Sequence, residues 1–134
     1  MSLTKIESEI VEINNSAENI FTYLTDFKNF EKLMPSQVTG WTATSEECSF
    51  TIKGMATIGM KIIEKTPFKK ISINSNGKVP FEFQLFIFIT EKDATNSVGQ
   101  IVFESDLNPM LKMMVVKPLG NFFNILAHKM KDIK

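Results

Sequence analysis

Few side chains in this sequence can do acid–base or nucleophilic chemistry, and they do not cluster. There is one histidine, His128, one cysteine, Cys48, and no arginine, because all fifteen basic residues are lysines. Glu64 continues the alternation of Ile58, Met60 and Ile62, which points its carboxylate to the inner face of a strand. There, burial would raise its pKa and let it take a proton or orient a ligand hydroxyl. Ser105 is the other polar side chain of inward parity. Histidine is the commonest general base, but His128 falls on the helical face of Asn121, Asn124 and Lys131, which reads as solvated. Cys48 opens a strand with inward parity and reads as a buried, inert thiol rather than a nucleophile. Asp26 and Glu31 are explained by helix ends, where the macrodipole acts, better than by an acid pair. The catalytic set therefore contains no candidate beyond a weak one, Glu64.

Composition excludes several functions outright. One cysteine and one histidine cannot make a disulfide framework or a Cys/His metal site, and no cofactor motif is present. Fifteen basic and fifteen acidic residues leave a formal net charge of zero. Without arginine or a basic stripe there is no nucleic-acid footprint and no bidentate phosphate clamp. No segment approaches the ~20 apolar residues of a membrane span. The acidic opening, Met-Ser-Leu-Thr-Lys-Ile-Glu-Ser-Glu, lacks the apolar run of an export signal, so a cytoplasmic location is expected. At 134 residues, residues 1–134 read as one domain, and twelve phenylalanines and eight methionines supply an ample core.

The elements that must position these residues follow from periodicity. Residues 5–13 alternate as a strand, with Ile6, Ser8 and Ile10 on one face and Val11 and Ile13 on the other. Ser16 caps a short helix over about residues 17–25, and a second short helix covers Asn29 to Met34 before Pro35. Six strands with short turns follow, antiparallel because no crossover helix separates them. Their inward parity collects Phe50, Ile52, Ile58, Met60, Phe81, Phe83, Leu85 and Phe103. Asn108 and Pro109 begin a long amphipathic helix. Its apolar face carries Leu111, Val115, Leu119, Phe122, Ile125 and Leu126, and Pro118 should kink it. Phe86 and Phe88 fall on the outer face of their strand, where Val98 or Val102 would extend an exposed apolar patch.

This order, strand, two short helices, six antiparallel strands and a long C-terminal helix, is that of the α+β helix-grip fold. The whole chain resembles the START-like (SRPBCC) superfamily. The resemblance is carried by Ser16-Ala-Glu-Asn-Ile-Phe-Thr-Tyr-Leu-Thr-Asp26, by Phe30-Glu-Lys-Leu-Met-Pro35, and by the Phe50/Ile52/Gly54 strand end. The breaks at Pro67, at Pro80-Phe81-Glu82-Phe83 and at Asn108-Pro109-Met110 fall where that architecture needs connections. The resemblance implies a curved sheet of about seven strands wrapped around the C-terminal helix, with a cavity between them for an apolar small molecule or lipid. The inward set above, with Leu111, Val115 and Phe122 from the helix, is then the cavity lining, as pockets for such ligands are mostly apolar. No fixed catalytic residue carries over.

Three functions remain open at this point. The first is a carrier or binding domain for a hydrophobic small molecule or lipid. The second is a polyketide-cyclase-like enzyme using Glu64 or Ser105. The third is a co-chaperone-like interaction module, or a homodimer, using Phe86 and Phe88. Met110, Met113 and Met114 are expected to pack on loops after the Pro118 kink, or else to gate the cavity mouth.

Overall fold

The computed structural model describes residues 3–133. The N-terminal strand is two: β1 (Thr4–Glu7) and β2 (Val11–Ile13), both antiparallel to the same partner strand. Between them the register slips by one residue, since Glu7 faces Val102 while Val11 faces Gly99. The slip reverses parity. Thr4, Ile6 and Ser8 point inward, then Val11 and Ile13 do, and Ile10 is left 67% exposed. Unbroken alternation had put Ile10 with Ile6 and Ser8. Ser8 closes the bulge: its amide donates to the Ile101 carbonyl at 2.8 Å, and its hydroxyl accepts the Ile101 amide at 2.9 Å. The Ser8 carbonyl takes the side-chain amide of Gln100 instead. This is how a bulge keeps its freed backbone groups bonded.

Helix α1 (Ala17–Leu24) starts where Ser16 accepts the Asn19 amide, and buries Ala17, Ile20, Phe21 and Leu24. A 3-10 helix over Phe27–Leu33 follows, capped by Asp26 and burying Phe27, Phe30 and Leu33. Six strands then run as a meander: β3 (Val38–Ala43), β4 (Glu47–Ile52), β5 (Ala56–Thr66), β6 (Lys70–Ser75), β7 (Gln84–Asp93) and β8 (Asn96–Ser105). The sheet order is β1-β8-β7-β6-β5-β4-β3, with β2 beside β8, all antiparallel. Eight strands replace the expected seven because the first is split. In β3, Gly40 takes φ +66° and the register shifts between Thr39 and Thr42. That extra residue stacks Trp41 on Phe50, with ring centroids 5.2 Å apart.

Helix α2 (Pro109–Lys129) is capped by Asn108, whose side chain accepts the Leu111 amide at 2.9 Å. It packs on β1 and β8 inside the curve of the sheet. Its buried residues are Val115, Leu119, Phe122, Phe123, Leu126 and Ala127, whereas Ile125, expected on this face, is 39% exposed. Two anchors fix its C-terminal half. The Asn124 side chain accepts the Glu9 amide at 2.7 Å, and His128 Nε2 lies 2.6 Å from Glu9 Oε1. No described helix is long and apolar enough to cross a membrane.

Candidate ligand groove and interior void

The inward set converges between sheet and helix. Phe50, Ile52, Ile58 and Met60 come from β4 and β5; Leu85 and Phe103 come from β7 and β8. Phe81 and Phe83 belong to the loop before β7 rather than to the strand, yet both are buried. Phe83 is held there by an exchange with Ser75, whose amide donates to the Phe83 carbonyl at 3.0 Å and whose hydroxyl accepts the Phe83 amide. With Phe122 these residues surround a void lined wholly by apolar side chains. Three of its lining residues escaped periodicity, Phe30, Met34 and Phe123, while Leu119 and Leu126 belong to the expected apolar face of the helix though not to the expected cavity lining. Phe30 and Met34 close it from the 3-10 helix and its cap, elements too short to show a face.

The void is small. Its volume is about 30 Å³, room for a single water, where small-molecule pockets run to ~300–1,000 Å³. Aromatic rings take up the rest. Phe103 stacks on Phe83 at 5.3 Å and lies 5.5 Å from Phe123, which meets Phe122 edge-on at 5.5 Å.

A larger recess of about 590 Å³ opens beside it, between the first half of α2 and the β4–β5 turn. Leu111 and Val115 line this groove and not the void, which divides the expected cavity lining in two. Ile52, Phe81 and Phe122 border both spaces, forming the floor of the groove and a wall of the void. At the rim stand Gln37, Lys53, Lys117 and Asn121. Met114 and Pro118 also border it. Proline has no amide hydrogen, so the Met114 carbonyl lacks its intrahelical donor there. Helix α2 runs through Pro118 without interruption. The methionines do not pack on loops: Met110, Met113 and Met114 are 72%, 86% and 64% exposed.

The polar candidates lie elsewhere. Glu64 does not keep the parity of Ile62, because the register slips by one residue between them; its side chain is 63% exposed and sits 3.9 Å from the Lys70 ammonium. Ile63, in the bulge, is exposed as well. Glu64 as an inward acid is therefore corrected. Ser105 is buried, but its hydroxyl donates to the Glu82 carbonyl at 2.6 Å and ties down the loop carrying Phe81 and Phe83. Cys48 is buried on β4, outside the void lining, and loss of solvation pushes its thiol up to about 12, against the smaller opposing effect of a hydrogen bond with the Met60 backbone. His128 is half exposed and engaged by Glu9. Among the described residues no cluster of His, Cys, Asp or Glu could hold a metal ion.

On the outer face of the sheet, Phe86 and Phe88 stack with centroids 6.0 Å apart, and the Lys70 ammonium lies 5.8 Å from the Phe86 ring centre. Val102, opposite Phe86, is buried and adds nothing to an exposed patch.

No family model matches the chain, and no curated protein matches it in sequence. Solved structures do match in shape. A START superfamily protein from Mycobacterium smegmatis superposes with a TM-score of 0.74 at 15% identity, over 97% of this chain and 94% of the other. A truncated norcoclaurine synthase from Thalictrum flavum gives 0.77 at 13% identity, over 98% and 92%. The protein XoxI from Bacillus cereus gives 0.74 at 12%, over 98% and 94%.

Proposed function

We propose that this chain, which has the START-like (SRPBCC) helix-grip fold, is a cytoplasmic, single-domain binding or carrier protein for a hydrophobic small molecule or lipid. One observation carries the reading. Ile52, Phe81 and Phe122 separate a groove of ligand size from an apolar void by a single layer of side chains. A guest lying in the groove buries apolar surface against that layer at ~25 cal/mol per Å². Rotation of Phe81 or Phe122 would let its tail join the two spaces. The enzyme reading is weaker, since no group able to move a proton lines the void and Glu64 and Ser105 are exposed and engaged respectively.

The test is titration with N-phenyl-1-naphthylamine, watching its fluorescence and the near-ultraviolet circular dichroism together. Saturable binding with an unchanged native spectrum is expected, and Val115→Trp, which fills the groove, should abolish it. Absence of saturable binding, or binding only as the native spectrum is lost, overturns the reading.

The outer-face stack of Phe86 on Phe88 favours a second role for this chain, homodimerisation through the sheet. Phe86→Ser with Phe88→Ser should then shift a dimer to monomer. Sedimentation of the wild type as a monomer at high concentration removes it.

A further inference from the structure

The groove has an electrostatic polarity that a purely apolar guest leaves unused. Lys53 lines it from the sheet side and Lys117 from the helix side, and no carboxylate lines it. Both lysines are exposed, and neither belongs to any of the ion pairs among the described residues, which are Lys65–Glu46, Lys70–Glu64, Lys92–Glu12 and His128–Glu9. In a chain of zero formal net charge, this is a local concentration of positive charge beside an apolar floor. The turn that carries Lys53 is held by its backbone: the Lys53 amide donates to the Gln37 carbonyl at 2.9 Å, the Met55 amide to the Ile52 carbonyl at 3.0 Å, and Gly54 supplies φ +78°. Past Phe81 and Leu111 the excess of positive charge ends, since the neighbouring surface carries Glu82 and Asp106 beside Lys112.

We propose that the groove selects an amphipathic anion, a single apolar chain ending in a carboxylate, with the head between Lys53 and Lys117 and the tail over Ile52, Phe81 and Phe122. This rests on the ligand-binding reading above and adds the chemical class of the ligand. The basic rim attracts the head and the surface beyond Phe81, where two carboxylates outnumber one lysine, does not, so the guest is oriented as well as held.

The experiment compares laurate with dodecanol, both below their aggregation limits, by displacement of N-phenyl-1-naphthylamine. Wild type should prefer laurate by about tenfold, the ratio that two partly screened ion pairs supply. The preference should shrink as salt is raised. Lys53→Gln with Lys117→Gln should abolish it by lowering laurate affinity far more than dodecanol affinity, and Lys112→Gln, outside the groove lining, should leave both unchanged. Equal affinities in wild type, or a preference that survives the double substitution, overturns the inference while the binding reading stands. Failure of both compounds to displace the probe overturns the two together.

Discussion

The Phe50 and Phe122 rings face each other across the sheet–helix interface, parallel to within 4° and with centroids 6.4 Å apart. Both border the interior void, and only Phe122 also borders the groove. The arrangement makes Phe122 the side chain whose removal should change ligand capacity most, because it is the ring that α2 contributes to the layer between groove and void.

Phe122→Ala should lower stability by ~3–5 kcal/mol, the usual cost of deleting a buried ring and leaving a cavity. It should also merge groove and void, so that longer-chain ligands gain affinity relative to short ones. Urea unfolding gives the first quantity, and displacement assays over a series of alcohols give the second. A stability loss with no change in the chain-length optimum would show that the two spaces stay separate.

The bulge at Ser8 makes a separate prediction. Ser8→Ala removes the hydroxyl that accepts the Ile101 amide and should cost ~1–3 kcal/mol, the penalty for a buried donor left unpaired. Ile10→Ser, at a side chain the bulge turns outward, should be near neutral. The same urea series reads both, and the reverse order would contradict the register described for β1 and β2.

These bulges also mark where sequence reasoning stopped. Phe50, Ile52, Ile58, Met60, Leu85 and Phe103 were legible because alternate burial has a period of two along unbroken strands. A one-residue slip at Ser8–Ile10 or at Ile63 reverses every later side chain, and nothing in the local composition announces it. Hence unbroken alternation misplaces Ile10, Val11 and Ile13 relative to Ile6, and Glu64 relative to Ile62. On α2 the buried arc is turned enough to take in Phe123 and release Ile125, a choice set by the sheet it meets. Whether the inward rings leave a cavity or fill it depends on how their volumes interlock in three dimensions. Alternation alone therefore could not separate the groove at Leu111 and Val115 from the void at Phe83 and Phe103.

Cys48 ties the core to alkaline stability. Its folded thiol is pushed up to about 12 from an ordinary 9.0, chiefly by burial. The folded state therefore holds the proton that the unfolded state releases, so stability falls as pH rises from about 9 toward about 12 and is unaffected below that window. Urea midpoints measured against pH should fall less steeply for Cys48→Ala than for wild type over this range. Identical slopes would remove burial of the thiol as the cause. Alkylation of native Cys48 at neutral pH should be slow for the same reason.

Glu64→Gln and His128→Ala should each leave ligand affinity within about tenfold, ~1.4 kcal/mol, since neither side chain lines the groove or the void. His128→Ala loses its exposed contact with Glu9 and should cost ~0–1 kcal/mol of stability. Suppose instead that either variant, still folded, abolished a demonstrable turnover by about a hundredfold, ~2.7 kcal/mol in barrier. The carrier reading would give way to the enzyme.

The proposed ligand lies between α2 and the β4–β5 turn, over Ile52, Phe81 and Phe122. Amide and methyl chemical-shift mapping during a laurate titration tests it most directly. Saturable shifts are expected at Ile52, Lys53, Met55, Phe81, Val115 and Phe122, with Phe88 on the outer face unmoved. Shifts confined to the outer face of the sheet, or absent at Phe81 and Phe122, would contradict it.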